Sequence, residues 1–413
     1  MASQAEIARS PSGEVPFAIA ELFYSRTDPR GVIVAGNEIF RRVSGYDWAE
    51  LLGAPHRLVR HPDTPRGVFR ILWEALGKGN PMAAYVKNRA KSGQYYWVFA
   101  VMLPIAGGFL SVRLKPTAPL FPRIREIYDD LIVRERDGLT PEASARWLHD
   151  VAQAQGFSSY TSFMASALGQ ELAARDARLE RAADARTRVL TEMNEALEET
   201  TREQGRLLRS FDALQSIPNN MRIVASRMEP TGGPISAISE NYKISSQAIS
   251  VRLHGFAGAR DSLIDRVSRD VAKALFLLGC GRLLGEMNAS FLGAAPVPGI
   301  DWEVERALLL GLERDCARDG REAMLHAVEH SATLNRASAE VRRHMLGLDT
   351  IRVLGRVECG RMRDANGGLA ATIDQLDAFH AEIKGRLETI MRLSENVGLA
   401  MDRYLRSSAA TVA

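Results

Sequence analysis

The sequence predicts an α+β domain, a small antiparallel sheet with short helices on one side, followed by a mostly α-helical coiled-coil or bundle region. Three observations carry this. Aromatic and turn-forming residues crowd the chain before residue 117, short β-type runs flank helical patterns there, and everything after 117 reads as helix. "GVIVAG" at Gly31 to Gly36 is a short buried strand. "NEIFRRVSGYDWAELLG" gives a short helix, a turn at Gly45 and a second helix ending at Gly53. "TPRGVFRILWEALGKG" opens with a cap-and-proline pair, repeats Val68, Ile71, Leu72 and Leu76 at helical spacing and stops at glycine. "PMAAYVKNRAKSGQYYWVFAVMLPIAGGFLSVRLKP" reads as three strands, with hairpin turns at Lys91-Ser92-Gly93 and Gly107-Gly108. Valine, tyrosine, tryptophan and phenylalanine dominate these runs, as strand propensity favours. With one more strand before "GVIVAG", the order is strand, strand, short helices, long helix, three strands.

Beyond residue 117, "GLTPEASARWLHDVAQAQG" again sets threonine and proline at a helix start. A heptad follows through Leu179, Ala183, Arg186, Leu190, Met193, Leu197, Thr200, Gln204, Leu207, Phe211 and Leu214. A second runs through Ile373, Leu376, Phe379 or His380, Ile383, Leu387, Ile390 and Val397. Two such seams suit an antiparallel hairpin that forms a homodimeric bundle. The same pattern also fits an ordinary helical bundle. The expected divisions are a sensor domain at 14–117, a helical connector at 118–168, a helical signalling region at 169–405 and a disordered tail at 406–413.

Composition narrows the function. A net charge of +3 over 413 residues lacks the concentrated basic patch of a nucleic-acid binder. Cys280, Cys316 and Cys359 are widely spaced, which fits a reducing compartment and excludes a compact zinc motif. The N-terminus lacks a signal-peptide pattern, and the longest apolar run, "ALFLLG", is far short of the ~20 residues of a membrane span. A cytoplasmic protein is expected. His326 and His330 lie four apart on a helix, but no third ligand accompanies them, so no metal site is expected. No kinase, cyclase or phosphodiesterase signature is present, and no enzyme activity is expected.

The chemistry concentrates in "GAPHRLVRHPDTP" at Gly53 to Pro65. By residue type alone this stretch is open to a metal site, a hydrolytic dyad with Ser44, an anion site or a polar loop. Its context is more specific. Asn37, Ser44-Gly45-Tyr46, Gly53, Pro55-His56, Arg60-His61-Pro62-Asp63, Trp73, Val86-Lys87-Asn88-Arg89, Gly93, Tyr96-Trp97, Ser111 and Arg113 follow one another in a fixed order. From about Asn37 to Pro116 the chain thus resembles the PAS domain of the bacterial aerotaxis receptor family. The resemblance implies a bound FAD whose redox state is sensed. The candidate cofactor-binding residues are His56, Arg60, His61, Asp63, Trp73, Asn88 and Trp97. An arginine fork suits a pyrophosphate, asparagine offers a donor and an acceptor to a flavin edge, and tryptophan offers ring faces. The alternatives are haem, with His56 or His61 as ligand, or a cofactor-free adaptor. One departure stands out: Met82-Ala83-Ala84 replaces the family's tryptophan, small residue and glycine.

The helical half resembles a worn methyl-accepting chemotaxis signalling region. "NMRIVASRME" follows the inbound tip helix at Asn220, Ala225 and Glu229, after which Pro230, Gly232, Gly233 and Pro234 break the pattern. "LDTIRVLGRVECGRM" is a weaker likeness. The chemotaxis histidine kinase and its coupling protein are the partners this resemblance implies.

Overall fold

The structure, a computed structural model, describes residues 13–409 apart from 156, 158, 215, 227–232, 258–261, 293–294, 296 and 362–367. The chain forms two compact units. One holds Met1–Thr191 with Ala272–Glu322, the other Glu192–Val271 with Ala323–Ala413.

The first unit is built on an antiparallel sheet. Its strands are β1 (Phe23–Thr27), β2 (Ile33–Gly36), β3 (Met82–Arg89), β4 (Tyr95–Ile105) and β5 (Gly108–Leu114), in the order β2-β1-β5-β4-β3. Between β2 and β3 lie α1 (Glu38–Ser44), α2 (Trp48–Leu51), a 3₁₀ turn (His56–Val59) and α3 (Arg66–Gly77). Asn37 fixes the entry to α1: its side chain accepts from Phe40 N and Tyr24 N and donates to Leu22 O. Gly45 ends α1 in the left-handed region, as the sequence predicts. Gly108 sits at φ 152°, and a Cβ there would lie 1.9 Å from Thr27 O. Only glycine lets β5 start against the end of β1.

The start of α3 is capped differently from the expectation. The Thr64 hydroxyl bonds the backbone of Lys87 instead. The open N–H groups of Arg66 and Gly67 are met by the Glu135 carboxylate, at 2.9 and 3.0 Å. Glu135 belongs to α4 (Leu120–Arg136), which is followed by α5 (Pro141–Ala154) and α6 (Tyr160–Arg178). Because α6 runs through residue 168, the expected connector boundary falls inside a helix. At α5 the expected cap holds: Thr140 accepts from Ala143 N, with Pro141 at the first position.

The sheet is covered on both faces, which corrects the expectation of helices on one side. α1 to α3 cover one face. On the other, Phe121 and Tyr128 of α4 meet Trp97, and Glu171 of α6 meets Tyr85. Tyr24 and Arg26 of β1 hold Glu305 at the start of α11 (Trp302–Arg361). Burial on both faces explains the near-continuous apolar runs of β3 and β4.

The remaining helices are α7 (Ala185–Leu214), α8 (Ile217–Ser226), α9 (Gly233–Ala257), α10 (Leu263–Ser290) and α12 (Gly368–Ala409). The first heptad begins later than expected. Leu179 caps α6, Glu180 has φ 54°, and Ala183 is exposed. Asp184 then caps α7 by accepting from Thr187 N, and Thr187 rather than Arg186 is buried. From Leu190 to Leu214 every seam position is buried, Thr200 and Gln204 included. In the second heptad His380, not Phe379, is the buried residue.

Within the second unit the two seams meet in one chain. Glu203 of α7 pairs with Arg386 of α12, and Ser210 donates to Glu382. The seam residues Leu190 and Leu197 are buried within the single chain. α8 and α9 are separate helices. Ala225 falls in the last turn of α8, and Glu229, Pro230 and Gly232 lie outside the described residues. Among the described residues no helix is long and apolar enough to cross a membrane.

Candidate functional site

The first face of the sheet and α3 enclose a cavity of about 130 Å³. Strand alternation decides which side chains reach it. β5 sends Phe109, Ser111 and Arg113 inward, β3 sends Val86 and Asn88, β4 sends Ala100 and Met102, and β1 sends Ser25 and Thr27. Phe69, Leu72, Trp73 and Leu76 of α3 form the apolar wall, and His56, Arg57 and Arg60 arrive from the 3₁₀ turn.

Of the residues named from sequence, His56, Arg60, Trp73 and Asn88 line this cavity. Arg60 and Asn88 form a backbone bridge, which ties the turn to β3. The Arg60 guanidinium lies 3.5 Å over the Phe69 ring, a cation–π contact. Trp73 is 48% exposed at the mouth, edge-on to Phe109 at 5.4 Å. The His56 ring stacks on Phe40, and its Nε2 accepts from Arg113 Nη2 at 2.8 Å. An arginine can only donate, so His56 carries its proton on Nδ1. Burial, then the Arg113 charge, pushes the His56 pKa down to about 3, so it is neutral.

His61, Asp63 and Trp97 do not line the cavity. His61 Nδ1 accepts from Asp63 N at 3.0 Å, and its ring meets Tyr95 edge-on. Asp63 pairs with Lys87 at 2.8 Å and Arg136 at 3.3 Å. The Lys87 hydrogen bond holds the Asp63 carboxyl below the usual carboxylate range. These two residues brace the turn against β3 beside Asn88. Trp97 is on the opposite face of the sheet, under Phe121. Met82, at the departure from the family pattern, is fully buried and pairs across the sheet with Met102, which does line the cavity.

Sequence reasoning missed Ser25, Ser111, Arg113 and Phe69 as site residues. The signal was present: Phe109, Ser111 and Arg113 alternate along β5 and so share a face. Arg113 is buried, and it donates to Ser25 Oγ as well as to His56. Burial lowers its pKa to about 10. Ser111 Oγ is buried without a hydrogen-bond partner.

The arrangement suits a planar heteroaromatic guest. Aliphatic side chains offer flat apolar contact, while Asn88, Ser111 and Arg113 offer a polar edge. A cavity of about 130 Å³ holds about one ring, since one of roughly 150 Å³ takes up benzene. A fused ring system would also need the open mouth beside Trp73.

Residues 33–109 match the family model of the PAS fold. The "Aerotaxis receptor" of Escherichia coli (strain K12) is 36% identical over 151 residues, 32% of this chain and 30% of that protein. The "Nitrogen fixation regulatory protein" of Klebsiella pneumoniae is 33% identical over 86 residues, 21% of this chain and 17% of that protein. The "Bacterioopsin transcriptional activator" of Halobacterium salinarum (strain ATCC 700922 / JCM 11081 / NRC-1) is 28% identical over 79 residues, 19% of this chain and 12% of that protein. The chain spans less than a third of the length of each. Most of the cavity lining falls in the matched region, and Arg60, just after the 3₁₀ turn, stands at its rim.

Proposed function

We infer that this is a signal-transduction protein whose PAS domain holds a flavin and responds to redox state or oxygen. The observation that carries the reading is the convergence of His56, Arg60, Trp73 and Asn88 on one cavity. These residues fit FAD in kind. Asn88 would serve the polar edge of the ring, Arg60 a phosphate and Trp73 a ring face. His61 and Asp63 hold the turn that presents Arg60. Flavin, when bound, supplies a redox change that alters charge and hydrogen bonding at the ring edge. A ligand moves a protein equilibrium only through such differential contacts. The helical units relay the response to a partner. The aerotaxis likeness points to a homodimer acting on a chemotaxis histidine kinase and coupling protein in the cytoplasm. Pro230, Gly232, Gly233 and Pro234, where the tip pattern departs, point to altered or weak kinase coupling. A pull-down that matches a full receptor and is lost on Asn220→Ala would contradict this.

The visible spectrum of purified protein is the decisive measurement. Flavin absorbance, reduced in Arg60→Ala with helical content unchanged, supports the reading. A protein that lacks flavin and cannot be reconstituted with FAD refutes it and leaves the cofactor-free adaptor. A Soret band favours haem. That reading requires His56 Nε2 to leave Arg113, and His61 lies outside the cavity.

A further inference from the structure

We propose that the PAS cavity selects an anion: a planar aromatic ligand with negative charge on the edge that meets Arg113 and Ser111, with Arg113 as the selecting residue. This rests on reading the cavity as a ligand site and adds the charge of what enters it.

The argument starts from a charge without a counter-charge. Arg113 is 5% exposed and lines the cavity. Its Nη2 donates to Ser25 Oγ and to His56 Nε2, both at 2.8 Å, and the guanidinium lies 5.6 Å from the Phe40 ring centre. None of these is an acid, and among the described residues no carboxylate pairs with it. Buried charges in proteins are stable when paired, and an unpaired one is strongly disfavoured. Arg113 nevertheless stays protonated near neutral pH. Both bonds leave from one nitrogen of a fork that carries five N–H donors, so donors remain for a ligand.

A second observation is independent of the charge. Ser111 Oγ is buried and without a hydrogen-bond partner. It is two residues along β5 from Arg113, on the same face, and lines the same cavity. A buried hydroxyl left unpaired in a cavity is a place where a guest supplies the acceptor. His56 completes the set. Neutral, and accepting from Arg113, it orients the guanidinium without adding a competing charge. Arg60 does not share this role. It stacks on Phe69 and feels the Glu135 carboxylate, so its charge is already partly compensated. Leu72, Val86 and Met102 leave the rest of the wall apolar, which excludes a fully hydrated ion and favours an anion carried on a ring.

The volume chooses the probe. A cavity of about 130 Å³ suits a single six-membered ring. Benzoate and benzamide have nearly the same shape and differ in charge. Calorimetric titration of the purified full chain with each is expected to show benzoate binding at least tenfold tighter. Arg113→Gln should erase that preference, and Arg113→Lys, which keeps the charge, should retain it. Failure of the wild-type protein to bind benzoate, equal affinity for the two probes, or a preference that survives in Arg113→Gln each overturns the proposal. The wild-type comparison stands even where a variant does not fold. Where the purified protein already carries flavin, the same question is put to its reduction potential. Arg113→Gln is then expected to weaken the reduced form at least tenfold relative to the oxidised form, a drop of about 30 mV for a two-electron couple. An unchanged potential overturns the proposal. Benzoate selectivity in a protein that takes up no flavin removes the flavin reading and leaves the anion site standing.

Discussion

Glu171 is the residue whose replacement most sharply tests how the PAS sheet is held to its helical cover. It is fully buried on α6. One oxygen accepts from Tyr85 O–H at 2.9 Å, and the other accepts from Thr117 N at 2.6 Å and Ala118 N at 3.0 Å. Glu171→Leu leaves all these donors buried and unpaired. Each unpaired donor costs about 1–3 kcal/mol, so a loss of at least about 3 kcal/mol is expected. Glu171→Gln behaves differently. Its amide oxygen can face the two backbone N–H groups while its NH₂ donates to the Tyr85 hydroxyl, which is also an acceptor. It is expected within about 1 kcal/mol of wild type. The pH dependence gives a second readout. Burial raises the Glu171 pKa above its ordinary value, and the hydrogen bonds only partly offset this. Above the unfolded pKa the unfolded chain therefore binds fewer protons at this site than the native one. Stability from this residue is greatest at low pH and falls as pH rises to the raised folded value. Glu171→Gln removes that slope. Urea denaturation followed by tryptophan fluorescence, repeated from pH 4.5 to 7.5, reads both effects. A leucine variant as stable as wild type, or a glutamine variant as unstable as the leucine one, would refute the reasoning.

Further outcomes follow from other contacts. Gly108→Ala forces a Cβ against Thr27 O and demands a φ that alanine avoids. Strain of about 1–3 kcal/mol before any clash is expected, visible as a lowered Tm. His380 is buried against Tyr242 O–H at 2.5 Å, and burial, then the Arg352 charge, lowers its pKa to about 4. The unfolded chain binds its proton first on acidification, so stability is lost as pH falls from about 6.5 through the folded value, by up to about 3 kcal/mol. His380→Phe should flatten the Tm profile over that range, and an unchanged profile would count against the contact. Leu197→Glu places a charge in a seam covered within one chain, so far-UV helicity should fall. A fully helical Leu197→Glu monomer beside a dimeric wild type by light scattering would show that the seam instead joins two copies.

Much of the PAS domain was legible because its signals are local. Gly45, Gly93 and Gly107 need only their own backbone angles, and the α3 stripe needs only spacing. What escaped depends on distant partners. The cap of α3 comes from Glu135, about seventy residues on. The outer face of β1 is met by Glu305, 281 residues from Tyr24. No window of sequence contains both. The two tryptophans show the same limit: Trp73 and Trp97 look alike as ring donors, and only the strand register puts Trp97 on the far face. The late start of α7 was hidden because "LERAAD" is rich in helix formers. The stop is set by Glu180 in the left-handed region and the restart by Asp184, a tertiary choice that propensity does not encode.

The two-sided burial of the sheet bears on how this protein can be dissected. A fragment cut at the end of the matched region, or even at residue 117, would strip the cover from Tyr24, Tyr85, Trp97 and Phe99, all buried in the intact chain. Exposed together on one flat face, such side chains favour association between copies. The unit that keeps this face covered is therefore not a contiguous stretch. Residues 272–322 pack in the same unit as the first 191, so a fragment joining these two segments, by co-expression or a fused linker, keeps that cover.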